Sequence, residues 1–160
     1  MKKTAKTAIC LAIALLATAG AATAEAGAAR GGSVLGNAEI DTHNPESVFE
    51  FSVHAQGDGR SGRGVVWMSH HNDERIGWMV ARVDCVRVEG PVGVVTAVVS
   101  DAEDFAVASP GEPIALTVRD NGTKDAISFT SPEQVKRCHG AREPGREITR
   151  GDFRVRSRTA

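Results

Sequence analysis

Val48 to Ala55 reads VFEFSVHA, and this order of residues decides the fold. Phe49, Phe51, Val53 and Ala55 fall on one side of an extended chain; Glu50, Ser52 and His54 fall on the other. Alternation of apolar and polar side chains marks a strand with one buried and one wet face. A helix would scatter the same residues around its axis.

The pattern repeats toward the C-terminus. Gln56 to Gly64 (QGDGRSGRG) carries four glycines and reads as a hairpin loop. Val65 to His70 is the next strand, and His71-Asn72-Asp73-Glu74 supplies turn residues. Ile76 to Val88 is long and Val-rich, and its alternation slips between Cys85 and Val86, which predicts a bulge or break. Glu89-Gly90-Pro91 is a turn and Val92 to Ser100 a strand. Asp101 to Asp104 reads as an acidic loop, Phe105 to Ala108 as a short strand, and Ser109-Pro110-Gly111 as a break. Pro113 to Arg119 and Ala126 to Thr130 are strands joined through Asp120-Asn121-Gly122, a strong turn signal. Ser131-Pro132-Glu133-Gln134 resembles a helix start, with Gly140 ending at most two turns. Ile148 to Arg156 is the last strand.

Composition agrees. Beyond Ala24 the chain holds eighteen Val, five Ile and two Leu, a balance that suits pleated surfaces better than helix cores. The expected fold is all-β: a small antiparallel sandwich or barrel of seven or eight strands, with one short helix at most.

The N-terminal side differs. Lys2, Lys3 and Lys6 precede an Ala-rich apolar stretch from Thr7 to Ala22, followed by two A-x-A sites. This is the pattern of a secretory signal peptide, residues 1–24, with the cut alternatively after residue 26. The apolar stretch is short for a membrane span, and no second run of membrane length follows. Residues 25–47, opening with the Gly-rich GAARGGSVLG at 27–36, read as a flexible leader, and 48–158 as a single β domain. Removal of the peptide takes away three lysines and shifts the net charge from −1 to about −3 or −4.

That charge balance excludes a strongly basic nucleic-acid binder. An aromatic content of 4% with no Tyr excludes a stacking platform for bases. Two cysteines lie beyond the signal peptide, Cys85 and Cys138, and an even count in an exported chain favours a disulfide between them.

The features in order resemble a known family. Phe49-Glu50-Phe51 is followed by a Gly-rich loop and a Trp strand, then by Val83-Asp84-Cys85-Val86-Arg87-Val88-Glu89-Gly90. Thr117-Val118-Arg119-Asp120-Asn121-Gly122 comes next, with Asp125, Phe129, a second cysteine and a closing Gly151-Asp152-Phe153-Arg154-Val155. Together they resemble the small exported β domains of Gram-positive bacteria that follow choice-of-anchor P regions. The resemblance covers Val48 to Arg156. The chain departs from that pattern at Thr123-Lys124, where the domains usually carry Pro-Gly, and at Gly151-Asp152-Phe153, where they usually carry Gly-Asn-Ile. The resemblance implies an exported β domain and brings no catalytic residues with it.

Candidate chemistry is sparse. The histidines 43, 54, 70, 71 and 139 are scattered, with no His-x-His pair; zinc or copper binding would need several to converge. Asp101, Glu103 and Asp104 make one acidic cluster, and Asp120, Asn121 and Asp125 another. Asp101, Asp104, Asp120, Asn121 and Asp125 are the oxygen donors that Ca²⁺ would take, although Asp-Asn-Gly is first of all turn chemistry. No G-x-S-x-G occurs, and no catalytic residue is assigned. Arg154, Arg156 and Arg158 share one face of the last strand and form a basic stripe for an anionic partner, or a charged edge that blocks strand addition. Trp67 and Trp78 lie on adjacent strands and are expected as neighbours in the core; facing outward, they would form a sugar-stacking surface.

The functional expectation is a secreted, non-enzymatic domain with a binding or structural role at the cell envelope or outside it. Its partner is extracellular or in the cell wall; no cofactor is expected, with calcium the one candidate. The alternatives are a small secreted hydrolase and a calcium- or metal-dependent binding module.

Overall fold

The computed structural model describes residues 31–42, 47–72 and 75–158. The signal peptide expected at 1–24 lies outside these residues, as do 25–30 and 43–46 of the expected leader. Nine strands form one antiparallel sheet: β1 (Gly32–Asp41), β2 (Val48–Gly57), β3 (Gly62–His71), β4 (Ile76–Glu89), β5 (Val92–Glu103), β6 (Pro113–Arg119), β7 (Ala126–Thr130), β8 (Arg146–Glu147) and β9 (Arg150–Ser157). The order across the sheet is β8-β7-β6-β5-β4-β3-β2-β1-β9, and the sheet curls into a half-barrel. Its concave face carries the alternate residues of each strand, among them Val34, Phe51, Val53, Met68, Met79, Val95, Leu116, Ile127 and Phe153, all buried in one core. Among the described residues no helix is long and apolar enough to cross a membrane.

The two edges of the sheet are tied by one bent segment of chain. Arg146 and Glu147 pair with β7. Ile148 then donates its N–H to Asp125 O, and Thr149 donates its N–H to Glu39 O on β1. From Arg150 onward the chain pairs with β1. On the far side of β9, side chains replace a neighbouring strand. Asp125 Oδ2 accepts the Phe153 N–H at 2.6 Å and Asp120 Oδ2 accepts the Val155 N–H at 3.0 Å. Carboxylates thus satisfy backbone donors that an open edge would leave for another chain.

The N-terminal boundary is corrected: residues 32–41 are a strand, not part of a flexible leader. β1 pairs along its length with β2 and along most of it with β9. The glycines that suggested flexibility answer a demand from across the sheet. Gly36 has φ 150°, and a Cβ there would lie 2.9 Å from the Phe153 ring and closer still to Asp152 O. Only Gly lets the buried Phe153 close the core at this point.

Smaller corrections follow. The strand count is nine, because β1 is added and the expected last strand starts later, at Arg150, behind the separate β8. β5 runs on through Asp101 to Glu103, so the acidic stretch is largely strand. Phe105 to Ala108 is not a strand; Phe105 and Ala108 are buried within the β5–β6 connection. The expected helix is a single 3₁₀ turn, Pro132–Gln134.

The bulge on β4 falls at the expected place within one residue: Asp84 and Cys85 stand against the single residue Thr96, between the pairs Val83–Ala97 and Val86–Val95. The slip turns Cys85 away from the core, where it forms a disulfide with Cys138. The bridge pins residues 131–145 across the outer surface of β4 to β6. Thr96 Oγ1 accepts the Cys138 N–H, Thr117 Oγ1 donates to Ala141 O, and Arg137 reaches Asp84. Gly140 passes so close that a Cβ would sit 2.5 Å from Thr117 Oγ1. This cover buries Thr96 and Thr117 on the outer side of the sheet. Among the described residues, none forms such a cover over the outer surface of β1 to β3 and the N-terminal half of β4.

The β2–β3 turn has its own pH dependence. Asp58 Oδ1 accepts the N–H groups of Arg60 (2.9 Å) and Ser61 (2.7 Å) and the Ser61 hydroxyl. These bonds hold its carboxyl below the ordinary 3.8. A depressed folded pKa means that the contribution is full above 3.8 and fades as pH falls through the lower folded value. Protection of the Arg60 and Ser61 amides against hydrogen exchange is therefore expected to drop in acid below that point. Asp58→Ala should abolish the drop by removing the protection at every pH.

Candidate functional site

The uncovered outer surface can be read row by row from the strand registers. One row runs Asp152–Asn37–Ser52–Trp67–Val80–Asp101, from β9 to β5. The next runs Arg150–Glu39–Glu50–Ser69–Trp78–Glu103. Both tryptophans therefore stand on the outer face as diagonal neighbours across β3 and β4, about 7–8 Å apart by sheet geometry. The expectation that they pack in the core is overturned: both are half-buried, while Val66 and Met68 on either side of Trp67 point inward. The same face bears three exposed apolar side chains: Ile76 (70% exposed), Val65 (48%) and Leu35 (38%).

Trp67 forms one wall of a cleft of about 300 Å³, whose polar lining is Asn37, Glu39, Glu50, Ser52 and Arg150. Two of these are engaged lightly: Ser69 Oγ donates to Glu50 Oε2 at 3.3 Å, and Arg150 lies 3.5 Å from Glu39 Oε2. Trp78 Nε1 donates to Glu103 Oε2 at 3.3 Å, which fixes the second ring. The Asn37 amide, the Ser52 hydroxyl and the Trp67 indole N–H have no hydrogen-bond partner among the described residues, so they are free to meet a ligand. The two rows lean acidic, with Glu39, Glu50, Asp101, Glu103 and Asp152 against Arg150, while Arg82 and Arg154 stand in the next row.

The residues picked out from sequence go elsewhere. Cys85 and Cys138 form the expected disulfide. The calcium candidates divide. Asp101 lies on the outer face of β5, and Asp104 sits in the following turn with φ 48°. Asp120, Asn121 and Asp125 lie at the other end of the barrel, where Asp120 N–H meets Pro91 O beside the start of β5. There both oxygens of Asp120 and of Asp125 already accept backbone N–H groups: Gly122 and Val155 on one, Asn121 and Phe153 on the other. Asn121 donates to Lys124 O. The five do not form one site; the second cluster braces a turn and a strand edge. Among the described residues no three His, Cys, Asp or Glu side chains converge as a metal would require.

The histidines also separate. His54 faces outward between Leu35 and Val65, whereas His70 stacks inside on Phe49 with ring centroids 4.2 Å apart. His43 lies outside the described residues. Arg154, Arg156 and Arg158 do share the outer side of β9, beside Leu35, Ser33 and Gly31 in turn. Arg154 stands in the row next to that of Trp67, three strands away, and Arg156 and Arg158 lie successively farther along. Arg154 is close to Asp152, at 3.5 Å.

Comparison with family models, with curated proteins and with solved structures finds no match to this chain.

Proposed function

We propose that this chain is an exported, non-enzymatic binding domain whose ligand is a neutral or amino-bearing glycan, held on the outer face over Trp67 and Trp78. The observation that carries the reading is the placement of both tryptophans on a part of the sheet that no other described segment covers, beside free hydrogen-bonding groups. A sugar ring offers C–H groups on its flat faces and hydroxyls at its edge. An aromatic face meets the first, and Asn37, Ser52 and the carboxylates meet the second. The acids around the cleft disfavour a polyanionic polymer and favour an uncharged or cationic one. The signal-peptide pattern, the resemblance to exported β domains, and a disulfide compatible with an oxidising compartment support a place outside the membrane.

The chain holds two tryptophans, so their emission reports this surface directly. Titration of the disulfide-bonded protein with neutral, amino-bearing and polyanionic oligosaccharides is expected to change that emission for the first two and not for the third. Trp67→Ala should weaken binding at least tenfold, about 1.4 kcal/mol, with little change in stability. Unchanged emission with every glycan at millimolar concentration, or full affinity in Trp67→Ala, would overturn the reading.

The hydrolase alternative has its best carboxylate pair here, because Glu39 and Glu50 are cross-strand partners in the same cleft. Their engagement by Arg150 and Ser69, on a convex surface open to water, favours binding over bond cleavage. Release of new reducing ends during the titration would reverse that preference.

A further inference from the structure

A second cavity lies on the concave side, at the end of the barrel where β1 and β2 face β7 and β8. It measures about 340 Å³, within the range of small-molecule sites. Its walls are apolar: Ile40, Phe49, Phe51 and Met68 on one side, Ile127 and Phe129 on the other, with Val107 of the β5–β6 connection at the lip. Two of its polar groups are already used. Thr42 Oγ1 donates to Ser47 O, and Ser128 Oγ accepts the Gly145 N–H. The remaining polar side chain is Arg146. It is exposed, it pairs with Ile127 and so shares the concave side of the sheet, and its guanidinium has no hydrogen bond or ion pair among the described residues.

We infer that this slot binds a small amphiphile with an apolar body and a single anionic head, the body inside the barrel and the head on Arg146. The charge argument decides between occupants. A neutral apolar molecule would leave the arginine unused, and a cationic one would be repelled by Arg146, the one charged side chain among the described residues that line the slot. Bidentate hydrogen bonding makes a carboxylate the best match to a free guanidinium. At about 30 Å³ for each water-sized group, the cavity takes roughly ten such groups, the size of a medium-chain carboxylic acid.

The test uses decanoate, below the concentration at which it forms micelles, and the methyl NMR spectrum of the disulfide-bonded protein labelled at isoleucine δ1. Ile40 and Ile127 line the slot, and Ile76 stands on the outer face. Decanoate is expected to shift the first two and spare the third. Arg146→Glu should raise the apparent Kd at least tenfold, its own methyl spectrum showing whether it is folded. Decyltrimethylammonium, with the same chain and the opposite head, should bind the unaltered protein at least tenfold more weakly than decanoate does. Three results would overturn the proposal: no shift at Ile40 and Ile127, shifts centred on Ile76, or equal affinity for the two head groups. Since the glycan surface is read by tryptophan emission and this slot by interior methyls, either can fail alone.

Discussion

Asp125→Asn is expected to lower the unfolding free energy by about 3 kcal/mol, a large share of the stability of a domain this size. Asp125 is 3% exposed, and its two oxygens accept N–H groups from Asn121 and from Phe153. Hydrogen bonds to a charged acceptor contribute about 1.5–3 kcal/mol each. An asparagine keeps the shape but offers one acceptor oxygen, and its NH₂ would face a donor. One buried N–H is then unsatisfied, and the surviving bond loses its charge. Asp120, which is partly exposed, should cost less when changed in the same way. Urea unfolding with an unchanged m-value would measure both. A loss below about 1 kcal/mol for Asp125→Asn would mean that the β9 edge does not depend on this carboxylate.

Replacing Cys85 and Cys138 together by Ser should cost about 4 kcal/mol on the chain-entropy account, since the bridge closes a loop with a sequence separation of 53. The local consequences are specific. Residues 131–145 lose their anchor, and Thr96 and Thr117, now buried on the outer side of β5 and β6, become accessible. Thermal unfolding with and without reductant should show the loss, and the double-serine protein should show none on adding reductant. Amide exchange should accelerate first in residues 131–145 and leave β1 to β3 protected. A uniform increase over the whole sheet would show that the cover and the barrel unfold as one unit.

The contrast between strands that were legible in the sequence and those that were not has a physical basis. VFEFSVHA declares its own faces, because every other residue is apolar. Val65-Val66-Trp67-Met68 does not: four apolar residues in a row leave the choice of face to the partner strand. That choice follows from the hairpin register, in which Gly57 meets Gly62 and therefore Ser52 meets Trp67 and Phe51 meets Met68. Counting back from the turn would have placed Trp67 outward; ring size alone pointed the wrong way. β1 was hidden for a different reason. Its Gly36 serves a phenylalanine more than a hundred residues later, and no local pattern encodes such a demand. The acidic clusters were legible as turn chemistry at Asp120-Asn121-Gly122, but the bracing of Phe153 and Val155 by the same side chains was not, because it joins distant segments. Cys85 and Cys138 were legible because, with Cys10 set aside in the expected signal peptide, two cysteines allow one bridge.

The pairing of the first strand with the last carries a consequence for how the molecule is made. Glu39 O receives both the N–H and the hydroxyl of Thr149, 110 positions downstream. Contacts of that span come late and slow the search for the native state. A chain delivered end-first can pair β1 with β2 early, but the other edge of β1 stays open until β9 has emerged. Until then the sheet can form open but cannot close on itself.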